Sequence, residues 1–234
     1  MALVLSAFAL TLMVIPSGAF GLTFTTIDVP GTTDTGVAGI NAAGPIVGGY
    51  LDASGMSHGF LLDKGGFTTI DPPGATSGFA FGINAAGQIV GVYGDAGGTT
   101  HGYVFDKGTF TTIDPPGAPF TEALGISASG NIVGHYASTN GNQGFLLEKG
   151  AYTTISVPGA ASTRAFGINA AGQIVGDYFV GGTEHGFLLA EGEFTTIDVP
   201  GAMGTLPTGI NAAGQIVGGY TDASGTGHGF LATP

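Results

Sequence analysis

The chain has no cysteine and no tryptophan, and only four of its 234 residues are lysine or arginine. Without cysteine no disulfide can form, so packing and hydrogen bonding must hold whatever fold there is. Sixteen acidic residues against those four give a formal net charge of −12. Nucleic acid requires clustered cations to displace its counterions. The scattered Lys64, Lys107, Lys149 and Arg164 form no such cluster, which excludes a nucleic-acid partner. Anionic membrane surfaces are disfavoured on the same ground, and the excess of negative charge keeps a glycine-rich chain soluble. There is no H-E-x-x-H pair, no D-x-[DN]-x-[DN]-G calcium loop and no phosphate-binding glycine loop, so neither a cofactor nor a metal ion is expected.

What the chain has in abundance is a repeat. A phrase close to GINAAGQIVGGY begins at Gly39, Gly82, Gly125, Gly167 and Gly209, at spacings of 43, 43, 42 and 42 residues. So regular a period means one supersecondary unit copied in tandem. The 46 glycines and 12 prolines then read as turns between short strands. Disorder is the competing reading of such a composition, but the recurrence of Ile, Val, Leu, Phe and Tyr at fixed offsets argues against it.

One copy, residues 66–108, resolves into four strands. Phe67–Asp71 (FTTID) is β-branched and aromatic and stops at Pro72-Pro73-Gly74. A second strand ends in Gly82-Ile83-Asn84. Asn84-Ala85-Ala86-Gly87 fits a type I turn, with Asn first and Gly last. Gln88–Tyr93 and His101–Phe105 are the remaining strands. Four short strands in 40–45 residues match a propeller blade, so the fold class is all-β: a five-bladed β-propeller of four-stranded antiparallel blades. The GIN strand is placed innermost and FTTID outermost. The ends of the chain are complementary, since Phe24–Asp28 is an FTTID strand without a preceding HGF strand and His228–Leu231 is an HGF strand without a following FTTID. The expectation is that these two pair and close the ring. A linear β-solenoid is the alternative.

Residues 2–15 (ALVLSAFALTLMVI) form an apolar run followed by Pro16, Ser17, Gly18 and Ala19. The run falls short of the roughly 20 residues of a membrane span. Residues 1–19 therefore read as a signal peptide with small residues at the cleavage site, leaving 20–234 as a single five-repeat domain. The implied location is secreted, periplasmic or cell-surface, with no membrane span once the signal is removed.

The pattern Ile40-Asn41, Gly44, Ile46-Val47-Gly48 and His58-Gly59-Phe60 resembles the extracellular HAF repeats, named for a His-Ala-Phe tripeptide, with Gly in place of Ala. Copies two, four and five match through His101, His185 and His228, whereas copy three has Ser127 for Asn and Gln143 for His. The resemblance covers about nine-tenths of the chain. It implies a secreted or surface β protein and supplies no catalytic residue.

Repeated residues read as structural. The four histidines are expected to bond a backbone carbonyl or the Asn of the GIN strand. The asparagines Asn41, Asn84, Asn169 and Asn211 are read as turn formers. Asp28, Asp71, Asp114 and Asp198, with Ser156 in the one remaining copy, are read as caps of the following turn. Function is sought where copies differ. Three residues before the GIN glycine the copies carry Gly36, Phe79, Glu122, Arg164 and Leu206, and just after IVG they carry Gly49, Val92, His135, Asp177 and Gly219. Only copies three and four are ionisable at both. The candidate site is a polar pocket between blades three and four formed by Glu122, Arg164, His135 and Asp177, and the bland alternative is a surface Glu122–Arg164 ion pair. The expected function is non-catalytic binding of a ligand, an extracellular glycan or surface protein, or scaffolding of a surface layer. The alternative is a polysaccharide-acting enzyme in which Glu122 works with Asp177 or Glu184.

Overall fold

The computed structural model describes residues 12–13 and 23–234. Apart from Leu12–Met13, the signal peptide expected at 1–19 lies outside the described residues. All regular structure among the described residues is β. Two short strands come first, β1 (Leu12–Met13) and β2 (Phe24–Thr25). Five sequential units follow. Unit one is β3 (Asp34–Ile40), β4 (Ile46–Leu51), β5 (Ser57–Asp63) and β6 (Gly66–Thr69). Unit two is β7 (Ser77–Ile83), β8 (Ile89–Gly94), β9 (Thr100–Asp106) and β10 (Thr109–Ile113). Unit three is β11 (Thr121–Ile126), β12 (Ile132–Ser138), β13 (Gly141–Glu148) and β14 (Ala151–Ile155). Unit four is β15 (Ser162–Ile168), β16 (Ile174–Val180), β17 (Thr183–Ala190) and β18 (Glu193–Ile197). Unit five has three strands, β19 (Gly204–Ile210), β20 (Ile216–Thr221) and β21 (Gly227–Ala232).

Within each unit the strands pair antiparallel in chain order, the meander of a propeller blade. Units four and five are joined into one sheet by a single parallel bridge, Glu184 to Gly204. Each GIN strand carries a bulge just before its glycine, as between Ala80 and Gly82. The bulge bends the strand and raises its local twist. GIN strands of successive units touch, which sets them innermost. The glycine itself is required by that approach: a Cβ on Gly125 would lie 2.7 Å from the Phe166 carbonyl oxygen of the next unit. The Asn84 turn forms as expected, with Gly87 N–H donating to the Asn84 carbonyl at 3.0 Å and Gly87 at φ +82°.

The core lies between units rather than inside them. Val47 and Ile70 of unit one pack on Ala80, Ile89 and Tyr103 of unit two. Val90 and Ile113 pack likewise on Ala123, Ile132 and Phe145, and Val133 and Ile155 on Ala165, Ile174 and Phe187. This explains strands that are apolar on both faces: each sheet buries one face against the preceding unit and one against the next.

The seam expected from the sequence is not seen among the described residues, where β21 pairs only with β20 and Phe24–Thr25 pairs with Leu12–Met13.

Candidate functional site

The two variable positions face each other across a sheet. In unit three Glu122 on β11 is in register with His135 on β12, and in unit four Arg164 on β15 is in register with Asp177 on β16. Unit three packs on unit four, so the four residues meet at one junction. Arg164 Nε donates to Asp177 Oδ1 at 2.9 Å, and its Nη2 donates to Asp177 Oδ2. The same Nη2 donates to Glu184 Oε1 at 3.2 Å. The guanidinium carbon also sits 5.4 Å from the ring centroids of both Phe166 and Phe179, within cation–π range. His135 Nε2 lies 3.5 Å from Glu122 Oε2, and its ring is flanked by Phe120 and Phe166.

Asp177 and His135 form the buried floor, and Glu122, Arg164 and Glu184 form a rim, each with just over a quarter of its side chain exposed. Burial dominates the electrostatics of this cluster. It pushes the His135 imidazole down to about 4, with the Arg164 cation adding to the effect, so His135 is neutral. Its Nδ1 is buried without a hydrogen-bond partner. Burial raises Glu122 above the usual carboxylate range against the opposing pull of Arg164. Glu184 is raised to about 7 by burial and by the neighbouring Asp177. Several perturbed titratable groups in one place are the physical mark of a functional-site candidate.

All four site residues expected from the sequence are brought together, but their pairing differs. Arg164 bonds Asp177 and Glu184 rather than Glu122, because the cross-strand partner lies in its own sheet. Glu184 completes the network; in the sequence it stood only as a conceivable partner of Glu122.

The repeated histidines also differ from expectation. They bond carboxylates, not carbonyls or asparagines. His58 Nδ1 donates to Asp71 Oδ2 at 2.6 Å, and its Nε2 lies 3.4 Å from Asp52 Oδ2. His101 is held in the same way by Asp114 and Asp95, and His185 Nδ1 by Asp198. The bond from Asp71 raises His58. The FTTID aspartates are therefore partners for histidine. The sequence contained this signal: the only copy with Gln143 for His has Ser156 for Asp, thirteen positions on, the same offset as His58 to Asp71. The asparagines do form turns, and they do more. Asn41 Nδ2 donates to the Asn84 carbonyl, Asn84 to that of Ser127 and Asn169 to that of Asn211, each bond tying one unit to the next.

Gly55-Met56-Ser57-His58-Gly59 spells G-x-S-x-G. Ser57 opens strand β5, and no helix follows. The strand–turn–helix that would expose a nucleophile is missing. Among the described residues no group of three or more His, Asp or Glu side chains is arranged to hold a metal ion, and no helix is long and apolar enough to cross a membrane.

No family model and no curated protein matches the chain. Solved structures do. The chain is similar to a catalytically inactive variant of virginiamycin B lyase from Staphylococcus aureus with quinupristin, at 16% identity and TM-score 0.53, covering 89% of this chain and 74% of that one. It is similar to TolB from Acinetobacter baumannii, at 15% identity and TM-score 0.57, covering 74% of this chain and 45% of that one. It is also similar to Aleuria aurantia lectin in complex with α-methyl-L-fucoside, at 14% identity and TM-score 0.50, covering 84% of this chain and 74% of that one. At such identities the likeness is one of fold alone, and the fold of this chain is a β-propeller.

Proposed function

We propose that the chain is an exported, non-catalytic propeller that binds a glycan on the face where Glu122, Arg164 and Glu184 reach solvent. One observation carries this reading. A position occupied by Gly36, Phe79 and Leu206 in three copies is ionisable only in two adjacent ones, and those residues form a single coupled cluster beside three phenylalanine rings. Carboxylates accept hydrogen bonds from sugar hydroxyls, and aromatic faces take the apolar side of a sugar ring. The test is a binding screen against immobilised polysaccharides. Glu122→Gln is expected to weaken binding about tenfold, the loss of a charge-assisted hydrogen bond. Binding that is unchanged in Glu122→Gln and in Arg164→Ala would overturn the site.

Cleavage of a polysaccharide is the second reading, favoured by a Glu122 that burial raises above the usual carboxylate range, beside a neutral His135. Against it, the two carboxylates across the junction are both bonded to Arg164, which leaves neither free to act as a nucleophile. Product release in the same screen, abolished by Glu122→Gln, would reverse this preference.

The finer fold proposal is a ring of five blades, with Phe24–Asp28 as the fourth strand of blade five. Three vacancies support it. Val217 and Leu231 are 48% and 61% exposed, whereas Val47, Val90, Val133 and Val175, which repeat Val217, are fully buried. Asp28 and His228 are the one His–Asp pair of the repeat that has not met. Asn211 has no following unit to bond. Repeat register sets Thr25 opposite Leu231. A Thr25→Cys/Leu231→Cys variant of the chain without residues 1–19 is expected to form a disulfide within one chain, since paired strands fall within disulfide reach. Only intermolecular cross-links, or none, would refute closure.

A further inference from the structure

Copies one and five are alike in ways the other three are not. Both have glycine just after IVG, Gly49 and Gly219, where copies two to four carry Val92, His135 and Asp177. Both also carry the loop Asp-Ala-Ser-Gly, Asp52–Gly55 and Asp222–Gly225. The loops fold identically: Asp52 Oδ1 accepts from Ser54 N–H and Oγ–H at 2.8 and 2.6 Å, and Asp222 Oδ1 from Ser224 N–H and Oγ–H at the same distances. The second oxygen of each aspartate holds an imidazole, His58 or His228, which stacks on Tyr50 or Tyr220 at 5.0 Å between centroids.

Next to each stack is a hollow. One, of about 250 Å³, is bounded by Gly36, Gly49, Tyr50, Ser57, Phe79 and Asp34. The other, of about 370 Å³, is bounded by Gly219, Tyr220, Thr221, His228, Leu206 and Glu184. Tyr50 and Tyr220, and Gly49 and Gly219, are the same repeat positions four copies apart, so the two hollows sit at one place in the repeat, with Phe79 of the following unit at the first and Glu184 of the preceding unit at the second.

We propose that these hollows are a pair of equivalent binding sites, each taking one neutral, hydroxyl-rich ring of a saccharide chain. This deepens the glycan-binding reading and rests on it; the first hollow lies apart from the charged junction, and the second shares Glu184 with it. The chemistry of the lining selects the class. Each hollow has one carboxylate to accept from hydroxyls, a serine or threonine hydroxyl, and a tyrosine, with Phe79 or Leu206 as an apolar wall. Neither lining contains a lysine or arginine, and the neighbouring Arg164 is already held by Asp177 and Glu184, so a carboxylated or sulfated sugar is disfavoured. Two sites on one chain give a polymer avidity without a strong individual contact.

The probes are maltohexaose, cellohexaose and xylohexaose, with polygalacturonate as the anionic control. Calorimetric titration is run in a Glu122→Gln background, which removes the one carboxylate of the charged junction that Arg164 does not bond. At least one neutral probe is expected to bind there at two sites per chain, and polygalacturonate at none. The hollow beside Gly219 is then filled with the valine of copy two, since an added Cβ there meets nothing nearer than 3.6 Å among the described residues, and the hollow beside Gly49 loses its ring in Tyr50→Ala. Gly219→Val should reduce the stoichiometry from two to one, and Gly219→Val with Tyr50→Ala to none, while circular dichroism stays unchanged. If the probes bind but stoichiometry ignores both changes, the hollows are refuted and the glycan-binding reading survives. If no neutral probe binds either the unmodified or the Glu122→Gln chain, both fall together.

Discussion

The junction between units one and two and the junction between units three and four share one apolar layer and differ in everything polar above it. In the first, Val47 and Ile70 meet Ala80 and Ile89; in the other, Val133 and Ile155 meet Ala165 and Ile174. Over that common layer the first junction has an Asn41 amide bonded across to Asn84 and a histidine held between two aspartates. The other has Ser127, Gln143 and Ser156 at those three positions, and in their stead a buried imidazole and an arginine clasping a buried aspartate. Stability is supplied by the layer that every junction repeats. The polar end of one junction is therefore free to lose its structural hydrogen bonds and acquire a different chemistry. A repeat scaffold that gains function by local substitution should look like this.

The largest expected effect tests whether the ionic cluster is an addition to that layer. Arg164→Ala leaves Asp177, which is 0% exposed, without its cation. Removing one partner of a buried pair costs about 3 kcal/mol, toward the lower end of the usual range because Arg164 is itself partly solvated. Arg164→Phe with Asp177→Val installs the pair of copy two, Phe79 and Val92, which occupy the same register. The double variant should recover to within about 1 kcal/mol of the unmodified chain in urea unfolding, as isosteric apolar replacements of buried ion pairs do. A double variant no more stable than Arg164→Ala would show that junction three has come to depend on its charges.

Much of this was legible in the sequence, for particular reasons. Strand identities followed from β-branched runs and glycine turns, and the stacking of units from strands apolar on both sides. Glu122, His135, Arg164 and Asp177 emerged by comparing copies, because a repeat supplies its own reference for each position. Pairing within the site was not legible. Whether Arg164 turns to Glu122 or to Asp177 depends on cross-strand register, which a bulge in the GIN strand sets. The partners of the repeated histidines were legible and overlooked: Gln143 and Ser156 depart together, and a thirteen-residue offset spans one hairpin. The pairing of Phe24–Thr25 with Leu12–Met13 was not legible, since residues 12–13 lie outside the repeat and no other copy supplies a reference for them.

A smaller effect separates the two junctions by the sign of their pH dependence. His58 is raised by its bond to Asp71, so the folded chain holds that proton more tightly than the unfolded one. The stabilisation is complete below the ordinary histidine value near 6.5 and is lost as pH rises through the folded value. His135 is lowered to about 4 by burial, so the unfolded chain takes the proton first, and stability falls as pH drops from about 6.5 toward 4. Glu122 and Glu184 act against His135 in the same window. Their raised values mean that the folded chain keeps protons the unfolded chain has released, which removes stability as pH rises toward about 7 for Glu184. The unmodified chain should thus be nearly flat between pH 4 and 6.5, and only variants expose the parts. His135→Val, the residue of copy two, should become more stable relative to the unmodified chain as pH falls below 6.5. His58→Gln with Asp71→Ser, the pair of copy three, should become relatively more stable as pH rises above 6.5. Each slope is bounded by one proton, about 1.4 kcal/mol per pH unit, and urea midpoints at half-unit steps from pH 4 to 8.5 resolve it. Slopes of the same sign in both variants would mean that the two junctions hold their imidazoles alike, and the contrast between them would collapse to one of residue names.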